Sequence, residues 1–514
     1  MPVLTAMDVL GVQRYVFASN RLRDVISASW LVHWVTATDG ALRGSEGDVL
    51  LASGGNVVVR FTDIDAAKSF AARYTRRLYD DAPGLDVVVA HRNYEKGGLA
   101  AALAQLQVDV ARAKLERIPS VPQLGISVTT PCRITGLPAT RLDPQDASIP
   151  LSSMVLRWRD GDVRASATSR WDALLTDSQR YAFPPEIDDM GRTRGDTSLV
   201  GVVHIDGNGI GQQIQSWLAQ CVEQARPDVI VEEDLRAWST GIDQIGLRCL
   251  QSVVARVAGA VTSEAHIEGT LPDLGFDLRR SNGRIILPLR PVLLGGDDLT
   301  FLCDGRLALD LAETALREFD SDVSKLGRVT ACAGVAIVPA HTPFDRAYDL
   351  AEALAANAKT RRRERNDSGS WIDWHIGAPR RGESVGDLRA RSFTQRLDGT
   401  QLHLTCRPYR LGLDTRERET WRWLSGIVLG TGPEGFRGER WSRHRNKLKE
   451  LVQVVREGAD GVRRARESWT AAANLPWPDR LDQTGGFFDA TRTPLLDAIE
   501  LLDVHLPLGL EVAP

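Results

Sequence analysis

Residues 291–302 read Pro-Val-Leu-Leu-Gly-Gly-Asp-Asp-Leu-Thr-Phe-Leu: two apolar runs, a glycine pair between them, and two carboxylates directly after it. Few stretches constrain a fold as strongly. Glycine accepts the positive φ of a tight turn, so the two runs become paired strands and Asp297 and Asp298 fall at the hairpin tip. Adjacent carboxylates repel one another, and hard oxygen donors of this kind are neutralised best by Mg2+ or Mn2+. A solvated Asp-Asp turn is the plainer alternative, because Gly and Asp are common turn residues.

The flanking chain places this hairpin inside a repeated frame. A β-prone run over 199–206 ends on Asp206 and is followed by Gly207-Asn-Gly-Ile-Gly211 and a helical pattern over 212–224. A helical insertion over about 232–265, the hairpin, a helix over 307–319, a strand over 328–338 and a helix to about 363 complete a β-α-ββ-α-β order. The start of that last helix is signposted by Thr342 at the N-cap, Pro343 at the first helical position and Asp345 in a capping box. The same order occurs earlier. A run ending at Asp8, a helix through Trp34, two β-rich runs over 48–61 hinged on Gly54-Gly55, a helix over 64–79, a strand over 85–90 and a helix over 99–115 follow one another. Asp8 matches Asp206, Gly54-Gly-Asn-Val57 matches Gly295-Gly-Asp-Asp298, and Ala113-Lys114 matches Ala358-Lys359. These matches predict an α+β fold with two ferredoxin-like palm domains in tandem, the second active, plus a C-terminal helical domain. The expected divisions are 1–139, a Pro-containing connector over 140–195, the second palm over 196–410, and 411–514. The first copy, with Asn56 and Val57 in place of carboxylates, is degenerate and completes a site on the face between the copies.

Composition narrows the class. With 514 residues, 43% hydrophobic and 25% charged, the chain is long enough for several ordinary globular domains. No window approaches the roughly 18 apolar residues of a membrane span, and the N-terminus carries no leader pattern, which predicts a cytoplasmic protein away from membranes. The six cysteines, far apart and without a CxxC pair, are expected to be core thiols rather than zinc ligands or disulfides. A net charge of -4 restricts nucleic-acid contact to local patches. Two basic runs qualify, 359–365 and 437–449 with Arg463, Arg464 and Arg466 beyond, though such a run is more often a solvated helix face than a binding patch.

The palm frame brings the strand of Asp206 beside the hairpin, so Asp206, Asp297 and Asp298 converge on two cations. Metals held in this way serve phosphoryl transfer, activating a hydroxyl and neutralising a pyrophosphate. The loop of Gly207, Asn208, Gly209 and Gly211 opens a helix N-terminus and turns backbone N–H groups toward a triphosphate. Gly295 and Gly296 let that substrate approach the hairpin, Lys359 and Arg362 supply cations for its outer phosphates, and Gly54, Gly55 and Asn56 face an acceptor nucleotide. His204 shares the strand face of Asp206 but is read as a structural histidine.

Several stretches together resemble the large polymerase subunit of type III CRISPR effector complexes. They are Val12-Gln-Arg-Tyr-Val-Phe17 with 22–31, Ser53-Gly-Gly-Asn56, 132–139, His204-Ile-Asp-Gly-Asn-Gly-Ile-Gly211, Leu294-Gly-Gly-Asp-Asp298, Ala355-Ala-Asn-Ala-Lys359, 371–375 and Arg407-Pro-Tyr409. The resemblance spans about residues 8–410. It implies two facing palms, ATP between them as substrate, metals on the GGDD palm, cyclic oligoadenylate products, and guide or target RNA or small effector subunits as partners. Oligomeric state stays open. Two departures stand out: the chain opens at the first palm without a His-Asp dipeptide, so no HD nuclease activity carries over, and Cys132 has no CxxC partner, so no structural zinc is expected. Two other readings compete. A non-catalytic palm scaffold or RNA-binding subunit would have lost its carboxylates, which this chain keeps in one copy. A GGDEF-type diguanylate cyclase would continue Glu-Phe where this chain has Leu299-Thr300.

Overall fold

The computed structural model describes residues 1–118, 128–190, 198–323, 327–478, 481, 484–489 and 491–509. The expected start of the second palm at 196 and the final residues 510–514 lie outside these. The first unit runs β1 (Val3–Leu10), α1 (Val12–Val16), α2 (Leu22–Thr36), β2 (Asp48–Ser53), β3 (Asn56–Phe61), α3 (Ile64–Asp81), β4 (Asp86–Asn93) and α4 (Leu99–Glu116). Its antiparallel sheet has the order β2-β3-β1-β4, the ferredoxin-like arrangement that the alternation of apolar runs and helical patterns predicts. A connector carries α5 (Ser153–Trp158) and α6 (Gly161–Asp172).

The second unit repeats the plan with β5 (Leu199–Gly207), α7 (Ile210–Glu223), α8 (Asp228–Gly259), β6 (Leu289–Gly295), β7 (Asp298–Asp304), α9 (Ala308–Phe319), β8 (Ala331–Pro339) and α10 (Phe344–Glu364). Its sheet order, β6-β7-β5-β8, continues into β9 (Trp371–Ile376), parallel to β8, and the short β10 (Tyr409–Arg410). Strand β5 is central and almost wholly buried, which fits its Val-rich run. The fold is therefore α+β with two ferredoxin-like palms.

Strand register corrects the alignment of the copies by one residue. Asp8 pairs with Asn56 across β1 and β3, and Asp206 pairs with Asp298 across β5 and β7. Asn56 thus stands where Asp298 stands, and Gly55 where Asp297 stands. Each edge strand also breaks register at the equivalent point, between Val49 and Leu51 and between Pro291 and Leu293. A shared bulge gives both hairpins the same local twist.

The two palms meet along several contacts. Phe17 stacks on Tyr348 at 4.3 Å. The Phe344 amide at the start of α10 donates to Asn20 Oδ1 at 3.0 Å. The expected capping box does not form: Pro343 is the N-cap without a side-chain bond, Asp345 accepts from Arg346 N, and the cap comes from the other palm. Helix α8 straps both units. Asp228 at its start accepts from the Gly97 and Leu99 amides at the head of α4, Glu232 pairs with Arg60 at 2.7 Å, and Arg236 pairs with Asp48 at 2.7 Å. Farther on, Asp243 accepts from Ser53 Oγ at 2.5 Å and Arg256 pairs with Asp310 at 2.9 Å.

Beyond β9 the chain adds α11 (Val385–Phe393), α12 (Arg445–Val454), α13 (Gly458–Ala473) and α14 (Leu495–Leu501). This part returns to the second palm: buried Asp497 pairs with Arg407 at 2.8 Å and accepts from Tyr409 Oη at 2.8 Å. All six cysteines are free thiols and five are buried, as expected of core residues. No helix among the described residues is long and apolar enough to cross a membrane. Much of the second basic run is self-neutralised, with Lys447–Glu450, Arg463–Asp460 and Arg464–Glu457 pairs, and Arg437 is spent on the Leu501 and His505 carbonyls.

Helix α10 lies so close to β8 that a Cβ built on Gly334 would sit 1.9 Å from the Ala351 carbonyl oxygen. Gly334→Ala should therefore push α10 off the sheet and cost about 3 kcal/mol. Calorimetry showing an unshifted melting temperature would rule out this packing.

Candidate active site

At the end of β5 and the tip of the β6–β7 hairpin, register alone juxtaposes Asp206 and Asp298. Strand periodicity adds His204 to the same face. One ligand atom from each of His204, Asp206 and Asp298 lies within 4.8 Å of the others. The sequence reading set His204 aside as structural. Its ring is buried, bonded through Nδ1 to Thr300 Oγ1 at 3.1 Å and edge-on to Tyr348 at 5.4 Å, as a structural histidine would be, and it also stands beside the two carboxylates. The signal available in the sequence was the i, i+2 spacing to Asp206.

Asp297 takes a different position. It occupies the turn, its backbone carbonyl accepts from Gly207 N at 3.2 Å, and a Cβ on Gly207 would come within 2.8 Å of its own Cβ. Gly207 is needed there because any side chain would displace Asp297. The carboxylate faces the same charge cluster from the loop side.

Electrostatics mark the cluster as short of positive charge. Burial, and then Asp206, raise the Asp297 carboxyl to about 6. Burial, Asp206 and Asp297 together, with a proton shared toward Asp206, raise Asp298 further. Burial lowers His204 to about 4, which leaves a neutral imidazole able to donate a lone pair. Two carboxylates and a neutral imidazole held this way fit a divalent cation such as Mg2+ or Mn2+. Lys359 partly compensates, since it pairs with Asp206 and donates to the Gly207 carbonyl at 2.7 Å. The first palm has the same ion pair in miniature, Lys114 to Asp8 at 2.5 Å, but Asn56 replaces the second carboxylate, so no charge is left over.

Three clefts meet around the cluster. One of about 620 Å³ is lined by Asp206, the 207–211 loop, Asp297, Lys359, Arg362 and Arg363. Gly209, the N-cap of α7, has φ +70° and both it and Gly211 face open space, so the backbone at these two glycines is open toward the cleft. Asn208 is not: its side chain is buried, donating to Thr330 Oγ1 at 3.0 Å and accepting from Cys332 Sγ. Arg362 reaches the cleft while bonding the Gly369 carbonyl at 3.2 Å. A second cleft, about 510 Å³ and mainly apolar, lies between the palms and is bordered by Asp8, Asn56, Lys114, Asp297 and Asp298. A third, about 590 Å³, lies on the other side of the hairpin tips, with His204, Asp243, Asp298 and Arg170 among its walls. The tips themselves touch: a Cβ on either Gly54 or Gly295 would lie 3.2 Å from backbone atoms of the other. Gly54, Gly55 and Gly296 all have positive φ, whereas Gly295 does not. The first hairpin turns on its glycine pair and the second on Gly296-Asp297.

Residues 199–368 match the family described as Cas10/Cmr2, second palm domain. About a third of the chain, its second palm, is thus similar to Cas10/Cmr2. Among solved structures, Csm1 in T.onnurineus aligns with 98% of this chain and 69% of its own, at 14% identity and a TM-score of 0.53. A Csm1-Csm4 cassette in complex with pppApA aligns over 98% and 69% at 12% identity with a TM-score of 0.52, and one in complex with cA3 over 98% and 70% at 12% with 0.51. At such identities the likeness is one of fold, and it extends over both palms. No curated protein matches the sequence.

Raised carboxyl pKa values carry a stability cost with a definite sign. Asp297 and Asp298 favour the folded state while protonated, and that contribution is lost as pH rises from about 4 through their raised values. Without divalent cations, Asp298→Asn should be more stable than wild type at pH 8 by about 1–3 kcal/mol, with the difference shrinking toward pH 4. Added Mn2+ should raise the melting temperature of wild type and leave the variant nearly unmoved. Equal melting curves at both pH values would refute this charge balance.

Proposed function

We propose that the chain is a nucleotidyltransferase that joins ATP units into cyclic oligoadenylate or a related cyclic nucleotide, in CRISPR-type antiviral defence in the cytoplasm. The observation that carries the reading is the register-fixed pair Asp206 and Asp298 with His204 beside it, opening onto the glycine-lined cleft that holds Lys359 and Arg362. Divalent cations held by Asp206, Asp297 and Asp298 would, when bound, acidify a 3′-hydroxyl and offset charge on the leaving pyrophosphate.

The protein groups have separable tasks. Backbone N–H groups of Gly209 and Gly211 at the head of α7, with Gly207, Gly295 and Gly296 leaving room, cradle the triphosphate of the donor. Lys359 exchanges its ion pair with Asp206 for the outer phosphates, and Arg362 steadies them bidentately. Gly54, Gly55 and Asn56 line the acceptor side. Asn208 fixes the loop to β8 rather than touching substrate. Adenine as the base, and a small-subunit partner, draw support from the neighbours described with ATP, pppApA, cA3 and Csm4. An alternative is a non-catalytic palm scaffold or RNA-binding subunit; the surplus of negative charge retained at the second palm counts against it.

Purified protein incubated with ATP and Mg2+ or Mn2+, with and without RNA, should yield cyclic oligonucleotides by mass spectrometry. Asp298→Ala should cut the yield by about 10³-fold or more while the melting curve stays cooperative. Undiminished synthesis by that variant would remove the metal assignment, and ATP binding without product under every activator would favour the scaffold. Lys359→Ala should raise the KM for ATP by about tenfold or more.

A further inference from the structure

The three clefts are not equivalent with respect to the cation cluster. The glycine and Lys359 cleft shares no wall residue with the cleft of Arg170, whereas the apolar cleft borders both through Asp297 on one side and Asp298 on the other. In-line displacement requires the attacking and leaving oxygens on opposite sides of the transferred phosphorus. With the pyrophosphate beside Lys359, the acceptor must approach from the side of His204 and Asp298, where the Arg170 cleft opens.

Arg170 stands out in that cleft. It belongs to α6 of the connector, outside both palms. Its neighbours in the connector find carboxylates: Arg159 pairs with Asp143 at 2.5 Å and Arg164 with Asp24 at 3.6 Å. Among the described residues Arg170 has no such partner; its guanidinium lies 4.4 Å from the ring centroid of Trp171, half-buried at the cleft wall. Burial alone, uncompensated by any carboxylate, pulls it down to about 10, and it in turn helps depress His33 on the adjoining wall. Asp243, a carboxylate on the same wall, is already engaged by Ser53. A half-buried guanidinium that forgoes ion pairing is costly unless an anion arrives to meet it.

Resting on the nucleotidyltransferase reading above, we infer that Arg170 binds the 5′-phosphates of the acceptor, so that the connector selects an acceptor with a phosphorylated 5′ end. A guanidinium suits this role because its planar fork can grip phosphate oxygens bidentately. The donor's phosphates and the acceptor's phosphates are then held by different cations on opposite sides of the hairpin tips.

The test measures binding rather than turnover. Full-length protein with Mg2+ and a saturating, uncleavable donor analogue (α,β-methylene ATP) is titrated with pppApA and with the 5′-hydroxyl dinucleotide ApA. Wild type should bind pppApA at least about tenfold more tightly than ApA, and Arg170→Gln should bring that ratio close to one with ApA affinity unchanged. Arg170→Lys should keep an intermediate ratio, and Lys359→Gln should leave the preference intact. An undiminished preference in Arg170→Gln, or no preference in wild type, overturns the assignment. Loss of ApA affinity along with the preference would mean a damaged cleft, and overturns it too. Because no product is formed, a failed synthesis assay would sink the nucleotidyltransferase reading without altering this ratio.

Discussion

The contact on which the site depends is made by backbone alone. Gly54 and Gly295 approach until a single Cβ on either would reach 3.2 Å from the other's main chain. That approach sets the distance between the two palms at the point where the second hairpin carries its carboxylates. Side chains elsewhere reinforce it, through Phe17 on Tyr348, Asn20 at the head of α10, and the length of α8, but none of them defines it so narrowly. Shared bulges at Leu50 and Val292 twist both hairpins alike, so the tips meet symmetrically even though their sequences differ.

Asymmetry enters only in charge. Both palms hold a strand-end aspartate paired to a helix lysine, Asp8 with Lys114 and Asp206 with Lys359. In the first palm the residue opposite is Asn56 and the balance is neutral. In the second, Asp298 and Asp297 add negative charge that burial makes expensive, and both carboxyls are raised as a result.

The duplication, the α+β class, the order of elements and the pairing of Asp206 with the hairpin were all legible in the sequence, because hydrophobic period and glycine position report directly on strands and turns. What was not legible depends on partners distant in sequence. The glycine pairs invite an alignment on identity, yet strand pairing makes Gly55, not Asn56, the counterpart of Asp297. Local capping rules assigned the start of α10 to Thr342 and Asp345, whereas the cap is Asn20, over three hundred residues away. His204 reads from the sequence as structural because a lone strand histidine usually is; its i, i+2 spacing sets it beside Asp206, and only the register with β7 adds Asp298. Asn208 sits in a phosphate-loop pattern but turns its amide to Thr330 and Cys332, a choice fixed by the neighbouring strand. Arg170 gave no signal, since an unpaired cation is recognised only once its surroundings are known.

Because both halves of the interface belong to one chain and are strapped by α8, their encounter is intramolecular. Tethered surfaces meet at effective concentrations on the order of millimolar, whatever the bulk concentration. Dilution therefore cannot take this interface apart. A cell that needs the interface silent must disturb its alignment, by shifting α8 or parting the two glycines, rather than by limiting how much protein it makes.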